Sequence, residues 1–118
     1  MSDEPDVLDQ AVVTELRDSV GGDDGFVREL VSAYLAESPA HLDAIATAAA
    51  QGDAAAAIRP AHTLKSSSAA IGAMRLAAVS QQLELAARGG RIDQAAVDKL
   101  HSVWPATLAA LGAAGMTE

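Results

Sequence analysis

His62 and Lys65 are the residues whose types and spacing could do chemistry together. They stand three apart in Ala61-His62-Thr63-Leu64-Lys65-Ser66-Ser67-Ser68-Ala69-Ala70-Ile71-Gly72-Ala73, so on a helix they share a face. A neutral imidazole is a competent nucleophile near neutral pH, because its unperturbed pKa is about 6.5. An ammonium one turn away is a flexible point charge. It can offset the charge on the equatorial oxygens of a phosphoryl group in transfer. In-line attack also needs an open approach, and Ser66 and Ala69 are small. Ser66 adds a hydroxyl that could donate to a phosphate oxygen. The chemistry suggested is phosphoryl transfer to and from a ring nitrogen. A helical His followed by Lys also occurs as plain surface, so the residue types alone do not decide.

Other sites of comparable quality are missing from the sequence. His41 and His101 fall on different predicted helices from His62, with no His-x-x-x-His or Glu-x-x-His spacing, so no metal site is expected. There are no cysteines, which excludes disulfides and thiol chemistry. Gly21-Gly22 and Gly89-Gly90 read as helix punctuation, since no Gly-Lys-Ser or Gly-Lys-Thr follows. Ser66-Ser67-Ser68 lacks the Gly-x-Ser-x-Gly setting of a serine nucleophile. A formal net charge of −8 argues against nucleic acid and anionic membrane surfaces. No segment is long and apolar enough to span a bilayer. The acidic start, Met1 to Asp6, is unlike a secretory signal, so the cytoplasm is the default location.

The elements that must position His62 are helical. Half of the residues are apolar and only Phe26, Tyr34 and Trp104 are aromatic, so Leu, Val, Ile and Ala must build the core. Residues 1–6 read as a flexible acidic tail, and 7–118 as a single domain. A first helix over 7–19 carries Val12, Val13 and Leu16. Gly21-Gly22 stops it and Asp23 caps a second helix over 24–51. Its stripe is Val27, Leu30, Val31, Tyr34 and Leu35, then Leu42, Ile45 and Ala49. Pro39 either kinks that helix or separates two, and the lack of a loop-forming cluster favours the kink. Asp53 caps a third helix over 53–70. A fourth covers 73–88, with Leu76, Val79, Leu83 and Ala86 or Ala87 inward. A fifth covers 92–112, with Val97, Leu100, Trp104, Leu108 and Leu111 inward. Short connections imply an all-α, antiparallel up-down four-helix bundle with the short first helix across one end. On the third helix, Ala61, Leu64, Ser68 and Ile71 face the core. Arg59, His62, Lys65, Ser66 and Ala69 face solvent.

The run His62-Thr63-Leu64-Lys65-Ser66-Ser67-Ser68, then Ile71-Gly72-Ala73, Leu76 and Leu83-Glu84, closely resembles the signature of histidine phosphotransfer (HPt) domains. In that family the pattern is His-x-Leu-Lys-Gly-Ser-Ser or Ala, then Leu-Gly-Ala, then a Leu and a Leu-Glu on the following helix. The resemblance implies that His62 is the phosphoacceptor through Nε2 and that Lys65 sits beside the phosphoryl group. Glu84 falls where family members often carry a polar residue near the imidazole. It either orients the ring or is an ordinary solvated carboxylate. Two positions depart from the pattern. Ser66 replaces the usual Gly and narrows the approach, and Pro60 either bends the helix just before the site or is tolerated locally.

The implied function is shuttling a phosphoryl group between receiver-domain aspartates of response regulators, in a relay fed by a hybrid or separate histidine kinase. The receiver would bring Mg²⁺; this chain would bind no cofactor, act as a monomer and have no kinase activity of its own. Docking would centre on His62 and Ala69, with Leu8, Val12, Leu16 and Phe26 as apolar contacts, although ordinary burial of those four is an equal reading. Other roles stay open: a helical adaptor for receivers, a phosphate sink, or the phosphoacceptor module of a chemotaxis-type kinase, which the length of the chain opposes.

Overall fold

Aspartates begin four of the five helices in the computed structural model, which describes residues 4–117. The helices are α1 (Gln10–Ser19), α2 (Asp24–Gln51), α3 (Ala54–Ile71), α4 (Met74–Arg88) and α5 (Gln94–Ala113). The side chains of Asp9, Asp23, Asp53 and Asp93 each accept a first-turn backbone N–H, a contact worth about 1 kcal/mol. Asp9 and Asp93 are caps that the apolar spacing does not reveal, and they set the start of α1 at Gln10 rather than residue 7 and of α5 at Gln94 rather than residue 92. Helix α2 runs unbroken through Pro39, which makes it one helix rather than two. Helix α3 likewise continues through Pro60, whose ring is buried.

Contacts α2–α3, α3–α4, α4–α5 and α5–α2 close a four-helix ring, and α1 packs on α2 and α3. This is the expected bundle with an added N-terminal helix. One apolar cluster draws on all five helices, from Val13 through Val31, Leu64, Leu76 and Leu83 to Leu100 and Leu111. A smaller cluster of Ala48, Ala57 and Ala87 lies beside it. Their small side chains let α2, α3 and α4 approach closely. Tyr34 is buried and bonds Ser68 Oγ across α2–α3 at 2.8 Å. Burial pushes its phenol up to about 12, against the opposing pull of Ser68 and Ser38. No helix among the described residues is long and apolar enough to cross a membrane.

Two leucines expected inside lie outside. Leu30 and Leu108 are 38% and 40% exposed, while Val103 and Thr107 are buried. Thr107 fits the inward stripe of α5 better than Leu108 does, at seven rather than eight residues from Leu100. Its hydroxyl is satisfied within the helix, donating to Val103 O at 2.9 Å, so its polarity does not keep it out.

Both ends of the described residues are tied to the bundle. Arg17 of α1 donates to Ala114 O at 3.0 Å and pairs with Asp24 at 3.2 Å. Of the acidic tail expected over 1–6, residues 1–3 lie outside the described residues. Glu4 pairs with Arg75 and Lys99, and Arg75 Nε donates to Pro5 O at 2.9 Å.

The α3–α4 corner is packed tightly against the start of α1. Gly72 has φ +89°, and its carbonyl accepts from Asp9 N at 2.8 Å. A Cβ there would lie 3.1 Å from Asp9 O and 3.3 Å from Val13 Cγ2. Gly72→Ala is therefore expected to destabilise the fold by about 1–2 kcal/mol from the left-handed backbone alone, and by more once α1 is pushed away. Urea unfolding of both proteins measures this; equal midpoints would refute it.

Candidate functional site

His62 lies on the exposed side of α3, beside α4, the helix with which α3 makes its most extensive contact. Ala61, Leu64, Ser68 and Ile71 are buried, and Arg59, His62 and Ser66 are exposed, as the helical phase predicts. Lys65 and Ala69, expected to face solvent, are instead half-buried.

Helix α4 brings Glu84 up against this face. Leu83 and Ala87 turn the same side of α4 into the bundle, and the Glu84 side chain is only 5% exposed. A carboxylate in that position must be paired if it is to stay charged, and three cationic or proton-bearing groups surround it. His62 Nδ1 lies 2.9 Å from Oε2. Arg88 places Nε and Nη2 on the same oxygen at 2.9 and 2.7 Å. Lys65 Nζ reaches the other oxygen, Oε1, at 2.7 Å. Lys65 is the largest influence holding the Glu84 carboxyl down at about 2; burial opposes it, and Arg88 and His62 add to it.

This arrangement sets the histidine tautomer. An ionised carboxylate can only accept, so His62 Nδ1 must carry the proton and donate it to Oε2. In the neutral ring the other nitrogen, Nε2, then holds the free lone pair. The side chain is 53% exposed. Its neighbours one and two turns on are Ser66 and Ala69, both small.

Arg88 was not singled out in the sequence. Its signal was present in Glu84-Leu85-Ala86-Ala87-Arg88, an acid followed by a base four residues on. Of the apolar residues considered for docking, Leu8 and Leu16 pack on the core. Val12 lies against the Gly72 corner, and Phe26 is 45% exposed. Leu16 and Leu30 also line a shallow groove of about 230 Å³ with Tyr34, Ala70 and Ile71. His101 Nδ1 contacts the carbonyl of Val97, within its own helix. Among the described residues, no group of three or more His, Cys, Asp or Glu could hold a metal ion.

The Hpt domain family model matches residues 29–114, from the first turns of α2 to just past the end of α5. The chain belongs to the Hpt domain family, whose members are phosphotransfer modules of phosphorelays and interact with receiver domains and kinases. No curated protein and no solved structure matches it at a significant level.

A pH signature follows from Glu84. Its folded-state pKa is depressed, so its contribution to stability is complete above the ordinary carboxylate range and is lost as pH falls from about 4.5 through about 2. Wild type is expected to be more stable than Glu84→Gln at neutral pH, with the gap closing across that window. Chemical unfolding at a series of pH values tests it; a gap that does not change with pH would contradict it.

Proposed function

We propose that this chain is a histidine-containing phosphoryl carrier that shuttles a phosphoryl group between receiver-domain aspartates through His62. The observation that carries the reading is the Nδ1 contact to an ionised, buried Glu84, which leaves Nε2 as the nucleophile on an exposed ring.

In the forward step the Nε2 lone pair forms the N–P bond. The P–O bond to the receiver's aspartyl carboxylate breaks and its electron pair returns to that carboxylate. The Nδ1 proton stays on the ring, which becomes formally cationic, and Glu84 Oε2 stabilises that charge. Donation to a second receiver is the reverse sequence. Lys65 offsets charge on the phosphoryl oxygens. Mg²⁺ belongs to the receiver, so this chain supplies a docking surface, a nucleophile and its counter-charges, without kinase activity of its own.

Docking centres on His62, Ser66 and Ala69. Phe26 is the most exposed of the apolar candidates, and Leu8, Val12 and Leu16, before and along α1, are further contacts in this reading. Transient signalling contacts of this kind are small. The reading puts the protein at work in the cytoplasm as a monomer.

Incubation with a phosphorylated receiver and Mg²⁺ is expected to place acid-labile, base-stable phosphate on wild type and none on His62→Gln. Label retained by His62→Gln would overturn the assignment of the nucleophile. Absence of label from wild type with every receiver of its own organism would favour a non-chemical adaptor. Ser66→Gly, by widening the approach to Nε2, is expected to speed transfer; rates equal to wild type would remove any hindrance by Ser66.

A further inference from the structure

We infer that Arg88 is a positioning residue: it takes over the Glu84 carboxylate when Lys65 leaves it for the phosphoryl group, and so makes that departure possible. The inference rests on the proposed phosphoryl-carrier reading of His62.

The proposed reading asks Lys65, now held by Glu84, to turn toward the phosphoryl group as well. Its ammonium is 2.7 Å from Glu84 Oε1, an oxygen with essentially no solvent exposure and no hydrogen bond of its own, so this ion pair is what offsets its charge. Moving to the phosphoryl group strips Oε1 of that partner. A buried carboxylate oxygen left without a donor is costly, which would hold Lys65 in place and deny the phosphoryl group its counter-charge.

Arg88 is built to relieve this. Two of its N–H groups, on Nε and Nη2, now converge on Oε2, the same oxygen that accepts from His62. A guanidinium matches a carboxylate best with one N–H on each oxygen. A small rotation of the fork would leave one contact on Oε2 and bring the other to Oε1. The side chain is 54% exposed, so little packing resists the rotation.

The charges balance at each end of the transfer. Before it, Glu84 faces Lys65 and Arg88, with His62 neutral. After it, the ring is formally cationic at Nδ1–H, Lys65 lies on the dianionic phosphoryl group, and Glu84 faces the ring and Arg88. Without Arg88 the second arrangement would leave Oε1 unpaired. Arg88 contacts neither the Nε2 nucleophile nor any group that receives the phosphoryl; it acts through Glu84 and Lys65.

The test measures labelling of His62 by a phosphorylated receiver across receiver concentrations, for wild type, Arg88→Ala and Arg88→Lys. Arg88→Ala is expected to lower the maximal rate by about tenfold, the scale of one lost hydrogen bond to a charged group, with the half-saturating receiver concentration unchanged. Arg88→Lys keeps the charge without the fork and is expected to recover part of the loss. A maximal rate in Arg88→Ala equal to wild type would overturn the inference while leaving the carrier reading intact, as would Arg88→Lys no better than Arg88→Ala. A change confined to half-saturation would make Arg88 a docking contact and also overturn it. Failure of wild type itself to be labelled would instead defeat the carrier reading and this inference with it.

Discussion

A single buried carboxylate organises the exposed face of this bundle. Glu84 is charged at neutral pH because Lys65, Arg88 and His62 surround it. In exchange it constrains all three. It orients the imidazole, determines which nitrogen carries the proton, and keeps two cations beside a histidine in a protein whose net charge is −8. Remove the carboxylate and His62 is an ordinary surface histidine free to adopt either tautomer.

The scaffold serves that contact. Glu84 can meet His62 only if α3 and α4 lie close, and small residues of both helices, Ala57, Ala61, Ser68, Ser80 and Ala87, are buried beside their leucines. The turn at Gly72 brings α4 back along α3, and α1 packs on that turn through Asp9 and Val13. Tyr34 fixes the other side of α3 through Ser68. The position of His62 is therefore set from three directions by α1, α2 and α4.

Much of this was legible in the sequence, for identifiable reasons. The helices announced themselves through Leu and Val at periods of three and four and through glycine stops, and the outward phase of His62 followed from Ala61, Leu64, Ser68 and Ile71. What escaped was whatever depends on a second element. Asp9 and Asp93 look like any surface aspartate until the helix they start is known. Thr107 carries no apolar signal, so the spacing of leucines points to Leu108; only the packed helix shows Thr107 inside with its hydroxyl bonded to its own backbone. Glu84 is legible only as one of two alternatives, an orienting group or a solvated carboxylate, and Arg88 not at all; the packing of α4 on α3 is what turns both toward His62 and Lys65. The sequence period identifies a face, but the partner across that face comes from tertiary packing.

The central claim is that Glu84 holds His62 with the proton on Nδ1 and the lone pair on Nε2. Side-chain ¹⁵N NMR of His62, at a pH where the ring is neutral, tests it most directly. A protonated Nδ1 and a bare Nε2 in wild type, with that preference lost in Glu84→Gln, is the predicted result. A ring protonated at Nε2 in wild type would contradict the account.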